Sequence, residues 1–397
     1  MHSPLSRRAS LRWLGAAAAT AAAGAMPASL AMAAPAVAGR ANGQRLVVVM
    51  LRGALDGLAA VPATGDPAWS GLRGEAAAVP ALQLDNTFGM HASLVNLHRW
   101  YGQKELLVVH AAASPYRERS HFDAQQQLES GGERPFALAT GWLGRALQAS
   151  GQNAMALTAA MPVALRGADG ASTWTPARRA GSDTSDLLAR VAQMYGGDAP
   201  LHNALTQAMD QQDMAMGAGD AIMGPGAAAG GTGFTGLARQ AGLFLSDPKG
   251  PRVAWLETGG WDTHTQQVPR LARLLASLDE GLGALRESFG AHWATTTVLV
   301  MTEFGRSAAL NGSGGTDHGT GGVAFMAGGQ VAGGRVHADW PGLARPALLD
   351  GRDLKPTLDL RALIAPALQR QFGLSNAQLQ GVVLPGAGKS ALELWRA

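Results

Sequence analysis

The chain has 397 residues, 47% of them hydrophobic and 15% charged, with 32 Lys and Arg, 29 Asp and Glu, 10 His and no Cys. So much apolar material suits one large core or two modest ones and excludes a disordered chain. Without cysteine there are no disulfides and no zinc–thiolate sites, so any metal must be held by His, Asp and Glu.

The first segment has its own pattern. Ser6-Arg7-Arg8-Ala9-Ser10-Leu11-Arg12 leads into an Ala-rich, weakly apolar stretch, then Pro27 and the small-residue site Ala31-Met32-Ala33. This is the grammar of a twin-arginine export signal over residues 1–33. Gly15, Gly24 and Pro27 interrupt the stretch, so a permanent membrane anchor is not expected. Cleavage after Ala33 removes three arginines and no acids, which takes the formal charge from +3 to 0. The basicity therefore belongs to the targeting signal and implies no nucleic-acid partner. The expected location is periplasmic or secreted, with the twin-arginine export machinery as a partner. That route carries folded proteins and suits one that takes up a metal before export.

Short Val- and Leu-rich runs follow at Leu46 to Leu51, Leu106 to Val109, Val253 to Leu256, Thr297 to Met301 and Val323 to Ala327. Each is of strand length and ends in Gly or polar residues, as in a mostly parallel sheet buried on both faces. Helical patterns lie between them, at Phe122 to Leu128, Trp142 to Gln148, Asp186 to Met194, Leu237 to Leu245, Val268 to Phe289 and Leu358 to Phe372. The alternation predicts one α/β domain over 34–397, a three-layer sandwich with a mostly parallel central sheet. Residues 140–247 are poor in strand-like runs and read as a mainly helical cap insertion, with a Gly/Ala-rich loop at 214–236.

In such sheets functional groups gather beyond the strand ends. Asp56 follows the first run and Ser120-His121 the second. Asp262 and His264 follow the third, Glu303 ends the fourth, and Asp317-His318 precede the fifth. Each has a plain alternative: a turn residue for Asp56, a helix N-cap for Asp262 or Ser120, a local pair with Arg306 for Glu303, and a satisfied loop imidazole for His318. Five separated sites on one rim point instead to a metal centre. Carboxylates with imidazoles and no thiolates suit one or two divalent ions, zinc or manganese first. His98, His202 and His292 lack acidic companions and read as structural, while His91 and His110 stay open.

The segments LRGALDGLAAVP, RSHFDAQQQLESG, GGWDTH, TEFGR and GGTDHGTGGVAFMAGG, in this order, resemble the exported family called domain of unknown function 1501, within the alkaline phosphatase and sulfatase superfamily. The resemblance implies an alkaline phosphatase-like fold, metal ligands at Asp56, Asp262, His264, Glu303, Asp317 and His318, and a nucleophile at a helix N-terminus, for which Ser120 is the candidate. One ion is expected at Asp262, His264 and His318 and a second near Asp56 and Glu303, with Arg119 and Arg306 clamping phosphate or sulfate oxygens. Phe304 stands where the superfamily carries a metal-binding His. A competing alignment gives the last His role to His337, and His121 is open as a general acid or a ligand. The implied activity is metal-dependent hydrolysis or transfer of a small-molecule or polymer-borne phosphate or sulfate ester. The alternative is a non-catalytic exported binding or accessory protein with a degenerate metal site.

Overall fold

The structure is a computed structural model that describes residues 43–176, 191, 201, 205–206, 233–388 and 390–396. The export segment, the helical pattern at 186–194 and most of the Gly/Ala-rich stretch lie outside the described residues.

Strands β1 (Arg45–Leu51), β4 (Leu106–Ala113), β5 (Ala154–Ala156), β6 (Ala171–Thr173), β7 (Val253–Thr258), β8 (Thr296–Thr302), β9 (Gly322–Ala327), β10 (Arg335–His337) and β11 (Leu358–Asp359) form one sheet. Its order is β10-β4-β9-β8-β1-β7-β5-β6, with β11 paired to β4. The hairpin β2 (Ala81–Gln83) and β3 (Gly89–His91) stands apart. Pairing is parallel throughout the sheet except at β9, which runs antiparallel to both β8 and β4. Inside the expected insertion, residues 154–156 and 171–173 extend the sheet past β7, so this part of 140–247 belongs to the sheet layer and is not a helical cap.

Among the described residues, the α-helices longer than three residues are α1 (Gly57–Ala60), α2 (Trp69–Arg73), α3 (Val95–Gly102), α4 (His121–Ser130), α5 (Trp142–Ser150), α6 (Phe234–Ser246), α7 (Gln267–Phe289) and α8 (Arg361–Phe372). Helix α6 begins inside the stretch expected to be a flexible loop, and residues 358–359 are strand where helix was expected.

Strand β1 is buried along its whole length because both of its faces are covered. Alternation along a strand sends Val47, Val49 and Leu51 to one core and Leu46, Val48 and Met50 to the other. The first core is closed by α3, α6 and α7. Leu271, Leu275, Leu278, Leu282, Leu285 and Phe289 recur every three or four residues along α7 and form its buried stripe. The second core is closed by α5 and α8, through Trp142, Leu143, Leu147, Leu363, Ile364 and Leu368. The result is the three-layer α/β architecture, and its main consequence for function is directional. Because β9 is reversed, the chain entering it meets the carboxyl ends of β1, β7 and β8. The loop before β9 therefore shares a rim with the residues that follow those strands. Among the described residues, no helix is long and apolar enough to cross a membrane.

Candidate metal centre

Four side chains from three loops converge on this rim. His121 opens α4, Asp262 and His264 follow β7, and His318 precedes β9. His318 Nε2 lies 3.1 Å from His121 Nε2 and 3.1 Å from His264 Nε2. The Asp262 carboxylate sits among them, with Oδ1 2.9 Å from His264 Nε2 and 3.2 Å from His318 Nε2, and Oδ2 3.5 Å from His121 Nε2. Ligand atoms of His121, Asp262 and His318 lie within 4.8 Å of one another.

The far side of each ring fixes what its Nε2 presents. His121 Nδ1 is 2.7 Å from Glu303 Oε1, His318 Nδ1 is 2.9 Å from the Arg119 carbonyl, and His264 Nδ1 is 3.4 Å from Asp317 Oδ1. These partners only accept, so each Nδ1 carries its hydrogen and each neutral ring turns a lone pair inward. Three lone pairs and a carboxylate at these separations repel one another unless positive charge lies among them. Bonds of 2.0–2.1 Å to a tetrahedral zinc ion would place ligand atoms roughly 3.3 Å apart, close to the separations of His318 Nε2 from His121, His264 and Asp262. Rings whose second nitrogen is held by a carboxylate or carbonyl are the usual form of metal-binding histidines. The donor set fits a divalent transition metal.

The surrounding donors keep the carboxylates of Asp262 and Glu303 ionised. Burial would raise the Asp262 pKa, but hydrogen bonds and charge from Arg306, with help from His264 and His121, hold it below the usual carboxylate range. Glu303 is likewise held low against its burial, by His121, Gln125 and the Gly53 amide. The Glu303 hydrogen bond raises the His121 pKa against desolvation, whereas burial lowers that of His318.

The backbone has to allow this convergence. Gly53 has φ +115°, and a Cβ there would lie 2.7 Å from the Asp262 amide nitrogen, so only glycine lets the turn after β1 pass under Asp262. A Cβ on Gly315 would lie 2.2 Å from the His264 carbonyl carbon, which accounts for glycine where the 312–315 loop crosses His264. Arg119 adopts φ +61°, a costly conformation for a side-chain-bearing residue, and its carbonyl is the acceptor that orients His318.

The other candidate residues fall around this centre in different ways. Glu303 is fully buried and orients His121. Asp317 orients His264 and is held by Asn311 Nδ2 at 3.1 Å. Asp56 does not join the cluster. It caps α1 through the Ala59 amide and is bound by both Arg73 Nη atoms and by Gln267. Arg306 offers no open face to a substrate, since its buried guanidinium binds Asp262 Oδ1 at 2.5 Å, Thr316 Oγ1 at 3.2 Å and the Thr316 carbonyl. It pairs with Asp262 and not with its sequence neighbour Glu303. Arg119 Nε and Nη2 bind Asp353 Oδ2 at 2.9 and 2.7 Å. Ser120 occupies the N-cap position of α4 with no side-chain capping bond, and its amide donates to the Tyr116 hydroxyl at 3.3 Å. His337 lies in edge strand β10, away from the cluster. Phe304 stacks on His121, with centroids 4.9 Å apart, and packs against His318.

Sequence reasoning undervalued His121 and missed Asp353. The signal for His121 was its place as the first helical residue after β4, beside the serine given the role of nucleophile. Asp353 had no signal, since it lies in an irregular segment far from every motif.

The fold and this cluster define an α/β protein with a candidate metal centre at the strand-end rim. The chain belongs to the family described as protein of unknown function (DUF1501), whose model matches residues 109–383. No curated protein matches the sequence. Similar solved structures include Ps i-CgsB in complex with k-i-k-neocarrahexaose, at 10% identity and TM-score 0.43, covering 87% of this chain and 75% of that one. The C-terminal periplasmic domain of EcEptC from Escherichia coli, in complex with Zn, is similar at 10% identity and TM-score 0.38, covering 72% and 74%. Phosphonate monoester hydrolase of Agrobacterium radiobacter is similar at 10% identity and TM-score 0.32, covering 71% and 68%.

Proposed function

We propose that the protein is a metal-dependent hydrolase or transferase of phosphate or sulfate esters that works in the periplasm after export by the twin-arginine route. The observation that carries the reading is the convergence of three inward-facing Nε2 lone pairs and one carboxylate, each imidazole held from behind. The ester class follows the superfamily that the motif order resembles, and the location follows the residue 1–33 signal.

A divalent cation held there supplies Lewis-acid polarisation of an ester oxygen and lowers the pKa of a neighbouring hydroxyl. The chain's own residues do the rest. Glu303, the Arg119 carbonyl and Asp317 keep the three rings oriented. Arg306 keeps Asp262 ionised. The Ser120 hydroxyl is not spent on capping and stands at the amino end of a ten-residue helix, where free backbone N–H groups favour a transferred anion. This supports Ser120 as the nucleophile. Arg119 and Arg352, both partly exposed and tied to Asp353, supply the cationic rim beside it.

The test is turnover of aryl phosphate and aryl sulfate esters by protein loaded with zinc or manganese. Metal-dependent turnover is expected, with Ser120→Ala losing activity while keeping its metal and His318→Ala losing both. Loaded protein that is inert across both ester classes would refute the reading.

A further inference from the structure

We propose that the centre takes one divalent cation per chain, in the donors His121, His264, His318 and Asp262, and that the protein's own Arg73 guanidinium serves where a second ion would be required. The inference deepens the metal-centre reading and rests on it.

A second ion would need accessible ligands, and the two carboxylates expected to supply them are buried and already hydrogen-bonded within the chain. Asp56 Oδ2 accepts from Arg73 Nη1 at 2.6 Å and Gln267 Nε2 at 2.7 Å, and Oδ1 accepts from Arg73 Nη2 at 3.1 Å and the Ala59 amide at 3.0 Å. Both partners of that ion pair are 1% exposed. A buried carboxylate must be neutralised, and here the neutralising charge is covalently part of the chain. Glu303 Oε1 accepts from the Gly53 amide at 2.8 Å, His121 Nδ1 at 2.7 Å and Gln125 Nε2 at 2.9 Å. Its Oε2 faces the Thr302 hydroxyl at 2.9 Å, and the side chain is wholly buried.

The ground between these carboxylates and the cluster is also occupied. Phe304, 2% exposed, packs with Ala54, Tyr116 and Ala124 as a small apolar cluster beneath the His121 and His318 rings. On the Asp56 side the space carries a closed hydrogen-bond chain. Gln267 binds Asp56, and its Oε1 accepts from Thr263 at 2.8 Å and Thr316 at 2.6 Å. Thr316 Oγ1 in turn accepts from Arg306 Nε, and Arg306 Nη1 donates to Asp262. Asp56 thus bears on the centre through side chains and not through a shared ion. Among the described carboxylates named for the site, Asp262 and Asp317 are the exposed ones, at 42% and 52%, and Asp317 turns Oδ1 to His264 Nδ1 and Asn311, on the far side of that ring from the cluster. Asp262 could bridge two ions only if His121 found a further ligand partner, and the carboxylate nearest to His121 is Glu303.

The test is stoichiometry. Protein stripped with a chelator is titrated with zinc and with cobalt(II), and bound metal per chain is counted by elemental analysis and native mass spectrometry. One equivalent is expected, with a cobalt visible spectrum of a nitrogen-rich, low-coordinate site. His264→Ala should weaken cobalt binding by about 100-fold or more and change that spectrum, with circular dichroism confirming the fold. Asp56→Asn should hold one equivalent, as should Arg73→Lys if the first variant fails to fold. Two tight equivalents in the unaltered protein, none at all, or an unchanged spectrum in His264→Ala would overturn the inference. One equivalent without ester turnover would leave it standing and remove the proposed activity.

Discussion

Replacing Glu303 with Gln separates a residue that orients a ligand from one that is a ligand. The isostere fits the existing hydrogen bonds. Its carbonyl oxygen still accepts from Gly53, His121 and Gln125, and its amide can donate to Thr302 Oγ1, because that hydroxyl is 2.7 Å from the Leu51 carbonyl and can turn its proton there. What is lost is charge. Hydrogen bonds to an ionised group contribute about 1.5–3 kcal/mol and neutral ones about 0.5–1.5 kcal/mol, while removing a buried charge recovers part of its desolvation cost. The fold should lose no more than about 2 kcal/mol in a denaturant titration. The effect on metal should be larger in relative terms, because His121 loses the anion that makes its Nε2 a strong donor. Loss of such a partner weakens metal binding by about 10- to 100-fold, or about 1.4–2.7 kcal/mol. A chelator competition series on Glu303→Gln measures this directly. Unchanged affinity would show that Glu303 does not act through His121. A halved metal count would show that it binds an ion itself.

Three other outcomes follow from the same geometry. His110 is fully buried, with Nε2 donating to the Val61 carbonyl and Nδ1 accepting from the Ala111 amide, and burial pushes its pKa down to about 4 from 6.5. The folded state therefore refuses a proton that the unfolded chain accepts. Stability is complete above pH 6.5 and falls as pH drops towards 4, by about 3 kcal/mol at most. Melting curves of the protein and of His110→Asn should diverge in that window, and parallel curves would count against it. Asp353, wholly buried, holds Arg119 through Oδ2 and Arg352 through Oδ1, and Arg352 also donates to the His318 carbonyl at 3.0 Å. Asp353→Asn should weaken metal binding by about 10-fold or more and alter the cobalt spectrum, whereas a purely structural role would lower the melting temperature and leave the spectrum alone. Gly53→Ala must move either the β1 turn or Asp262, so it should lose stability by about 1–3 kcal/mol together with metal affinity. Intact affinity would show that the turn gives way instead.

The sheet was legible because its central strands are buried on both faces and must therefore be nearly unbroken in Val and Leu, as β1 and β8 are. The short strands at 154–156 and 171–173 were not legible, since three residues carry no period and each is placed only by its neighbour, the first by β7 and the second by the first. Helix α6 was started late for a similar reason: its first turn, Phe234 to Gly236, continues the Gly-rich composition before it, and its apolar stripe declares itself only from Leu237.

At the site, chemical type was legible and pairing was not. Sequence shows which side chains can bind a cation, but whether a carboxylate is free depends on which donors the fold brings to it. Asp56 meets Arg73 only 17 residues away, across a helix turn whose direction no motif announces. Arg306 prefers Asp262 to the nearer Glu303 because Glu303, the first residue after β8, points back towards Gly53 and α4, while Arg306 has already turned towards the 316–318 loop. The reversed direction of β9 is what closes the set. Had β9 run parallel to its neighbours, His318 would enter from the opposite end of the sheet. His121 and His264 would then face Asp262 without the third imidazole that both of them meet at 3.1 Å.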